Sequence, residues 1–190
     1  MIADNVLMAA TKAWRRNLAG SLAVVAGVLA LSLGVPAIDG ALSNTTVSTT
    51  APLEFASNAS VVPPPDASVV ADQTSPSQGV VTLAVDGVRY RLTAESFPGT
   101  LQQLADRIRA EVQNVAGIQA ISPDQAVTSN SGIPGLQATY VGENRTGRYT
   151  VYLQSGTGVT AVVDGNDAGV TAHRAALETS VRTVTIDQTA

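Results

Sequence analysis

The architecture predicted by this sequence is an α+β domain outside the cytoplasm: an antiparallel sheet covered by two helices, tied through a disordered linker to an N-terminal transmembrane helix. Three observations predict it. An uncharged apolar stretch runs from Asn17 to Ile38, just behind Lys12, Arg15 and Arg16. A Ser/Thr/Pro-rich stretch follows, in which Asp39, Glu54, Asp66 and Asp72 meet no base before Gln78. From Gly79 onward, strand alternation gives way to helical spacing, then to several strands, a second helix and a last short strand.

Roughly 20 mostly apolar residues let a helix cross the hydrocarbon core of a bilayer, and residues 17–38 supply about that many. Bases stand only on the N-terminal side, and the next is Arg89. That asymmetry places residues 1–16 in the cytoplasm and everything after Asp39 outside. A signal anchor and a cleaved signal peptide both fit. Val35-Pro36-Ala37 is acceptable for cleavage. The length of the run and the amphipathic lead-in of Val6, Leu7, Ala10 and Trp14 favour the anchor, and with it a single-pass protein of the cell membrane. Pro36 and Gly40 end the helix in either case.

Residues 39–78 carry Pro63-Pro64-Pro65 at their centre, with Pro52 and Pro76 flanking. Without periodic apolar spacing this segment is expected to be a disordered spacer, extended at the prolines. Asn44-Thr45-Thr46, Asn58-Ala59-Ser60 and Asn144-Arg145-Thr146 match an N-glycosylation pattern, which has meaning only in a glycosylating host.

The folded domain is expected over residues 79–190. Val81, Leu83 and Val85 alternate with Thr82 and Ala84, Asp86-Gly87 makes a tight turn, and residues 88–92 alternate again, a hairpin signal. Thr100 is placed as an N-cap after Pro98-Gly99. Leu101, Leu104, Ala105, Ile108, Val112 and Val115 then recur at helical spacing, with Gly117 as the stop. Short strands are expected at 126–129, 136–141, 148–154 and 159–163, with Gly132 to Gly135 as a bend and Gly142 to Gly147 as a connection. A turn over Asp164 to Asp167 opens a second helix, whose buried face is read as Val170, Ala175, Leu177 and Val181. Residues 183–186 close the fold. This order suits helices covering an antiparallel sheet.

Composition narrows the chemistry. The net charge of −4 argues against nucleic acid, which wants a basic face. With no cysteine and one histidine, disulfides, thiol nucleophiles, thiolate metal sites and multi-imidazole zinc sites are excluded. Gly156-Thr157-Gly158-Val159-Thr160-Ala161 fits the dinucleotide fingerprint literally, yet its β-branched continuation reads as a strand, so a hairpin turn is preferred. Asp164, Asn166 and Gly169 sit at calcium-loop positions, but Ala175 stands where a bidentate Glu belongs, and a helix N-terminal turn explains the same residues. His173 lies beside Arg174 with Ser180 two turns away and no G-x-S-x-G, so it reads as a solvated helical histidine. Arg89, Arg91, Arg145 and Arg148 either grip an anionic headgroup or acidic partner, or guard strand edges by charge. Tyr90, Tyr140, Tyr149 and Tyr152 read as core packing. No catalytic, metal or cofactor residue is assigned, and the chain is expected not to be an enzyme.

Gly135-Leu136-Gln137-Ala138-Thr139-Tyr140, the strands 149–154 and 159–163, and the helix end Ala176-Leu177-Glu178-Thr179-Ser180-Val181 resemble the actinobacterial type VII secretion-associated membrane proteins. So does the order of anchor, Pro/Thr-rich linker and terminal domain. The soluble part of that family is similar to the PsbP/Mog1-like fold. The resemblance implies a non-enzymatic, membrane-tethered accessory or scaffold protein with a protein partner in a secretion assembly. The alternative is an extracytoplasmic binding module for a small hydrophobic or lipid-like ligand, held between sheet and helix near Leu101 and Ile108.

Overall fold

A computed structural model of the chain describes residues 45–46, 51–56 and 58–187. The predicted transmembrane segment, residues 17–38, lies outside the described residues. Among the described residues no helix is long and apolar enough to cross a membrane.

The hairpin read from Asp86-Gly87 is β5 (Val80–Val85) and β6 (Val88–Ser96). Both turn residues have positive φ, 42° and 77°, the handedness that matches the twist of the flanking strands. β6 leads to α1 (Leu101–Gln113), which Thr100 opens with a capping box. Its hydroxyl accepts from Gln103 N–H while the Gln103 side chain accepts from Thr100 N–H. Then follow β7 (Ile118–Ile121), β8 (Gln125–Thr128), β9 (Pro134–Gly142), β10 (Arg145–Gln154) and β11 (Thr157–Gly165). Helix α2 (Asp167–Arg182) is capped by Asn166, whose side chain accepts from Gly169 N–H at 2.7 Å. Strand β12 (Thr185–Ile186) is the last strand among the described residues. Gly142 pairs with Arg145, so the connection expected over residues 142–147 is only Glu143 and Asn144.

All strand pairs are antiparallel, and the main sheet runs β5-β6-β11-β10-β9, with β7 and β8 sharing the outer edge of β9. The pleat divides it into two faces. Helix α1 lays Leu104, Ala105, Ile108 and Val112 on Ala138, Tyr140, Tyr149 and Val151. Helix α2 lays Val170, Leu177 and Val181 on the opposite face, against Leu83, Tyr90, Leu92, Tyr152, Ala161 and Val163. Ala175 is exposed rather than part of that buried face, and Ser180 takes a buried place instead.

The linker expectation is corrected over residues 53–78. Strands β2 (Leu53–Phe55), β3 (Ala59–Val61) and β4 (Ser68–Val69) are built into the domain, and β1 (Thr45–Thr46) pairs with β4. β3 pairs with β12 in a small three-stranded sheet, while β4 extends the main sheet beside β5. Phe55, Val61 and Ala67 are fully buried in the α2-side core, and Pro63 and Pro64 are buried too. The physical reason is long-range closure. Ser180 donates to the Val62 carbonyl at 2.6 Å, the Thr183 hydroxyl accepts from Val62 N–H, and Asp187 N–H donates to Asn58 O. Residues 59–62 are thus matched to partners more than a hundred residues away, whereas β4 pairs with the nearby β5.

Candidate functional site

Polar side chains converge at three places on the α1 face of the sheet. At its far end, Asp164 of β11 is nearly buried and accepts from Arg145 of β10 and from the Tyr140 hydroxyl of β9 (3.2 Å). The Arg145 guanidinium uses both Nε, at 3.0 Å, and Nη2. The bond to Asp164 holds the Arg145 pKa above its ordinary value. Tyr140 is pushed well up by burial first and the Asp164 charge second.

The second cluster joins three elements. Asp124, before β8, accepts from Arg109 of α1 at 2.8 Å and from the Tyr149 hydroxyl of β10 at 2.6 Å, and Arg109 also donates to Ser122 O. Burial and then the bond to Asp124 hold Tyr149 above the usual phenol range. Both carboxylates are thus matched by an arginine and a phenol; Asp164 ties three strands together, and Asp124 ties its loop to α1 and the sheet.

The third lies along the edge of α1. Arg107 pairs with Glu95 of β6, lies 3.8 Å from Glu111, and stands 5.0 Å over the Phe97 ring. Burial raises the Glu111 pKa, with the Arg107 charge acting against it.

The predicted arginine set divides. Arg89 and Arg91 share the α1 face with Arg145, whereas Arg148 points to the other face and pairs with Glu178 of α2. The edge-guarding reading of Arg89 and Arg91 is corrected, because β6 lies between β5 and β11. Gly156 sits in the Ser155-Gly156 turn of the β10–β11 hairpin, where both residues have positive φ, and it leads into strand β11 rather than a helix. Asp164 lies in β11 under Arg145 rather than in an open loop. Nε2 of His173 is 3.1 Å from Asp86 at the β5–β6 turn, while Ser180 donates to Val62 O, so the two have separate partners. All four tyrosines are buried.

On the α2 face an open apolar groove runs between α2 and the sheet, lined by Val163, Val170, Leu177 and Val181 with Arg174 among its polar residues. It holds about 40 Å³, room for a water or two and far below the roughly 300 Å³ of a small-molecule pocket. Val141, half exposed, is the exposed large hydrophobic side chain among the described residues. A second, open trough near Asn58, Gln78, Glu95 and Thr157 is more polar.

No family model matches the chain, and no curated protein matches it. Among solved structures it is similar to cyanobacterial PsbP (CyanoP) from Synechocystis sp. PCC 6803, with a TM-score of 0.52 and 15% identity over 82% of this chain and 99% of that one. It is also similar to PA94 of Pseudomonas aeruginosa, a protein of unknown function, with a TM-score of 0.44 and 10% identity over 56% of this chain and 78% of that one. The folded domain is PsbP-like. The span shared with the cyanobacterial protein, 82% of 190 residues or about 156, exceeds the 112 residues from Gly79 to the end and so takes in chain before Gly79.

Proposed function

We propose that the chain is a non-enzymatic accessory or scaffold protein, anchored in the cell membrane by one span with its N-terminus cytoplasmic, whose extracytoplasmic domain engages a protein partner of a type VII-like secretion assembly. The secretion assignment rests on the resemblance of residues 135–140, 149–154, 159–163 and 176–181. The observation that carries the choice of a partner over a lipid-like ligand is the packing under α1. Leu104 and Ala105 are fully buried and Ile108 is 5% exposed against filled strands, so the place expected for a ligand is occupied by side chains. The apolar recess lies instead on the outside, beside α2, as a shallow open surface against which a partner can pack.

The test is made in native membranes. A photo-reactive residue at Thr139, on the groove, is expected to crosslink to a secretion component, and removal of the chain to reduce export of that system's substrates. Unchanged export together with crosslinks to lipid alone would overturn the reading.

A further inference from the structure

Charged side chains gather on the α1 face along β6. Four arginines (Arg89, Arg91, Arg107, Arg145) stand there with three acids (Glu95, Glu111, Asp164). Asp164 is taken by Arg145 and stands across from Arg89, and Arg107 serves both Glu95 and Glu111. Arg91 is left over. Half-buried in the middle of the strip, it makes no hydrogen bond or ion pair among the described residues. A guanidinium carries five donors in a planar fork, and partial burial strips water from it without supplying acceptors. Burial first, and the like charge of Arg89 second, hold its pKa below the ordinary value, with the Glu111 charge acting the other way.

Position on the strand adds the geometry. Arg89 and Arg91 are two residues apart on β6, so they point to the same face about 7 Å apart along the strand. A fork at Arg91 with a second positive charge at that spacing suits a group with several anionic oxygens. Charge on this strand does not serve to block edge pairing, because both of its edges are already bonded to β5 and β11. We propose that Arg91, with Arg89 beside it, forms a binding site for a phosphate group on the α1 face of the sheet. Free phosphate and a phospholipid headgroup offer the same chemistry. Arg89 keeps its own interactions and contributes the second positive charge.

The test follows the backbone amide resonances of residues 89–93 in the full-length protein, held in phosphatidylcholine nanodiscs and titrated with inorganic phosphate at constant ionic strength set by chloride. A saturable shift is expected in the wild type, weakened at least about tenfold in Arg91→Gln and less in Arg91→Lys. If free phosphate leaves the signal in place and phosphatidylglycerol in the nanodisc moves it, the ligand is a headgroup and the site stands. A wild-type signal that neither probe moves, or that chloride moves equally, overturns the site whether or not the variants fold. The phosphate arm is independent of the secretion and membrane readings, so its failure leaves them in place.

Discussion

Tyr149 and Tyr152 are both fully buried and differ by one hydrogen bond. The Tyr149 hydroxyl donates to the Asp124 carboxylate at 2.6 Å, whereas that of Tyr152 has no partner among the described residues. A bond to a charged group contributes about 1.5–3 kcal/mol, and an unpaired buried hydroxyl lowers stability instead. Tyr149→Phe is therefore expected to cost about 2 kcal/mol in urea unfolding. Tyr152→Phe should be neutral or slightly stabilising, and equal losses in the two variants would refute the assignment. A second pair of residues sets a steric test. Gly147 lies opposite Tyr140 in register, and a Cβ added there would sit 2.2 Å from the ring carbon bearing the hydroxyl. The ring has little room to yield, because it is 3% exposed and its hydroxyl is bonded to Asp164. Gly147→Ala is expected to cost roughly 1–3 kcal/mol through overpacking. In a Tyr140→Ala background most of that cost should vanish, a coupling that a double-mutant cycle measures directly.

At the scale of elements, the segment before Gly79 decides whether the domain folds. Without it, β12 loses its partner β3, and the α2-side core loses Phe55, Val61 and Ala67. A fragment beginning at Gly79 is expected to show no cooperative thermal transition, and one beginning at Ala51 to keep it; cooperative melting of the shorter fragment would show that β2 to β4 are dispensable. The contrast also explains what was legible in the sequence. The β5–β6 hairpin and α1 carry their instructions locally, in Asp86-Gly87 and in Thr100 with Gln103, and both appear where the residues place them. β3 carries only Ala59 and Val61 as buried residues, and its bond from Ser60 reaches Thr185 while those of the next residue, Val62, reach Ser180 and Thr183, so composition alone resembles that of a spacer. The candidate site divides in the same way. That Arg89 and Arg91 share a face follows from strand parity, and the odd offset of three positions from 145 to 148 already separates Arg148 from Arg145. The meeting of Asp124, Arg109 and Tyr149 was not legible, because a loop, a helix and a strand distant in sequence bring them together.

For the whole molecule, the four tyrosines of the chain form one pH-sensitive set, since each sits in the core of the sheet on one face or the other. Burial is the largest cause of a raised pKa at Tyr90, Tyr140, Tyr149 and Tyr152 alike. The carboxylates of Asp164 and Asp124 add to it at Tyr140 and Tyr149. Below the ordinary phenol pKa of about 10 both folded and unfolded chains keep these protons, and the set leaves stability unchanged with pH. Above it the unfolded chain releases protons that the folded chain retains, so stability falls as pH rises through the alkaline range. Phenolate absorbance should therefore stay absent past the ordinary midpoint and then rise steeply, together with the loss of the far-ultraviolet circular dichroism signal. In concentrated urea the same tyrosines should titrate near their ordinary value. A phenolate appearing with the ordinary midpoint while the dichroism stays native would place at least one of the four outside the core, and with it the register of β6, β9 or β10.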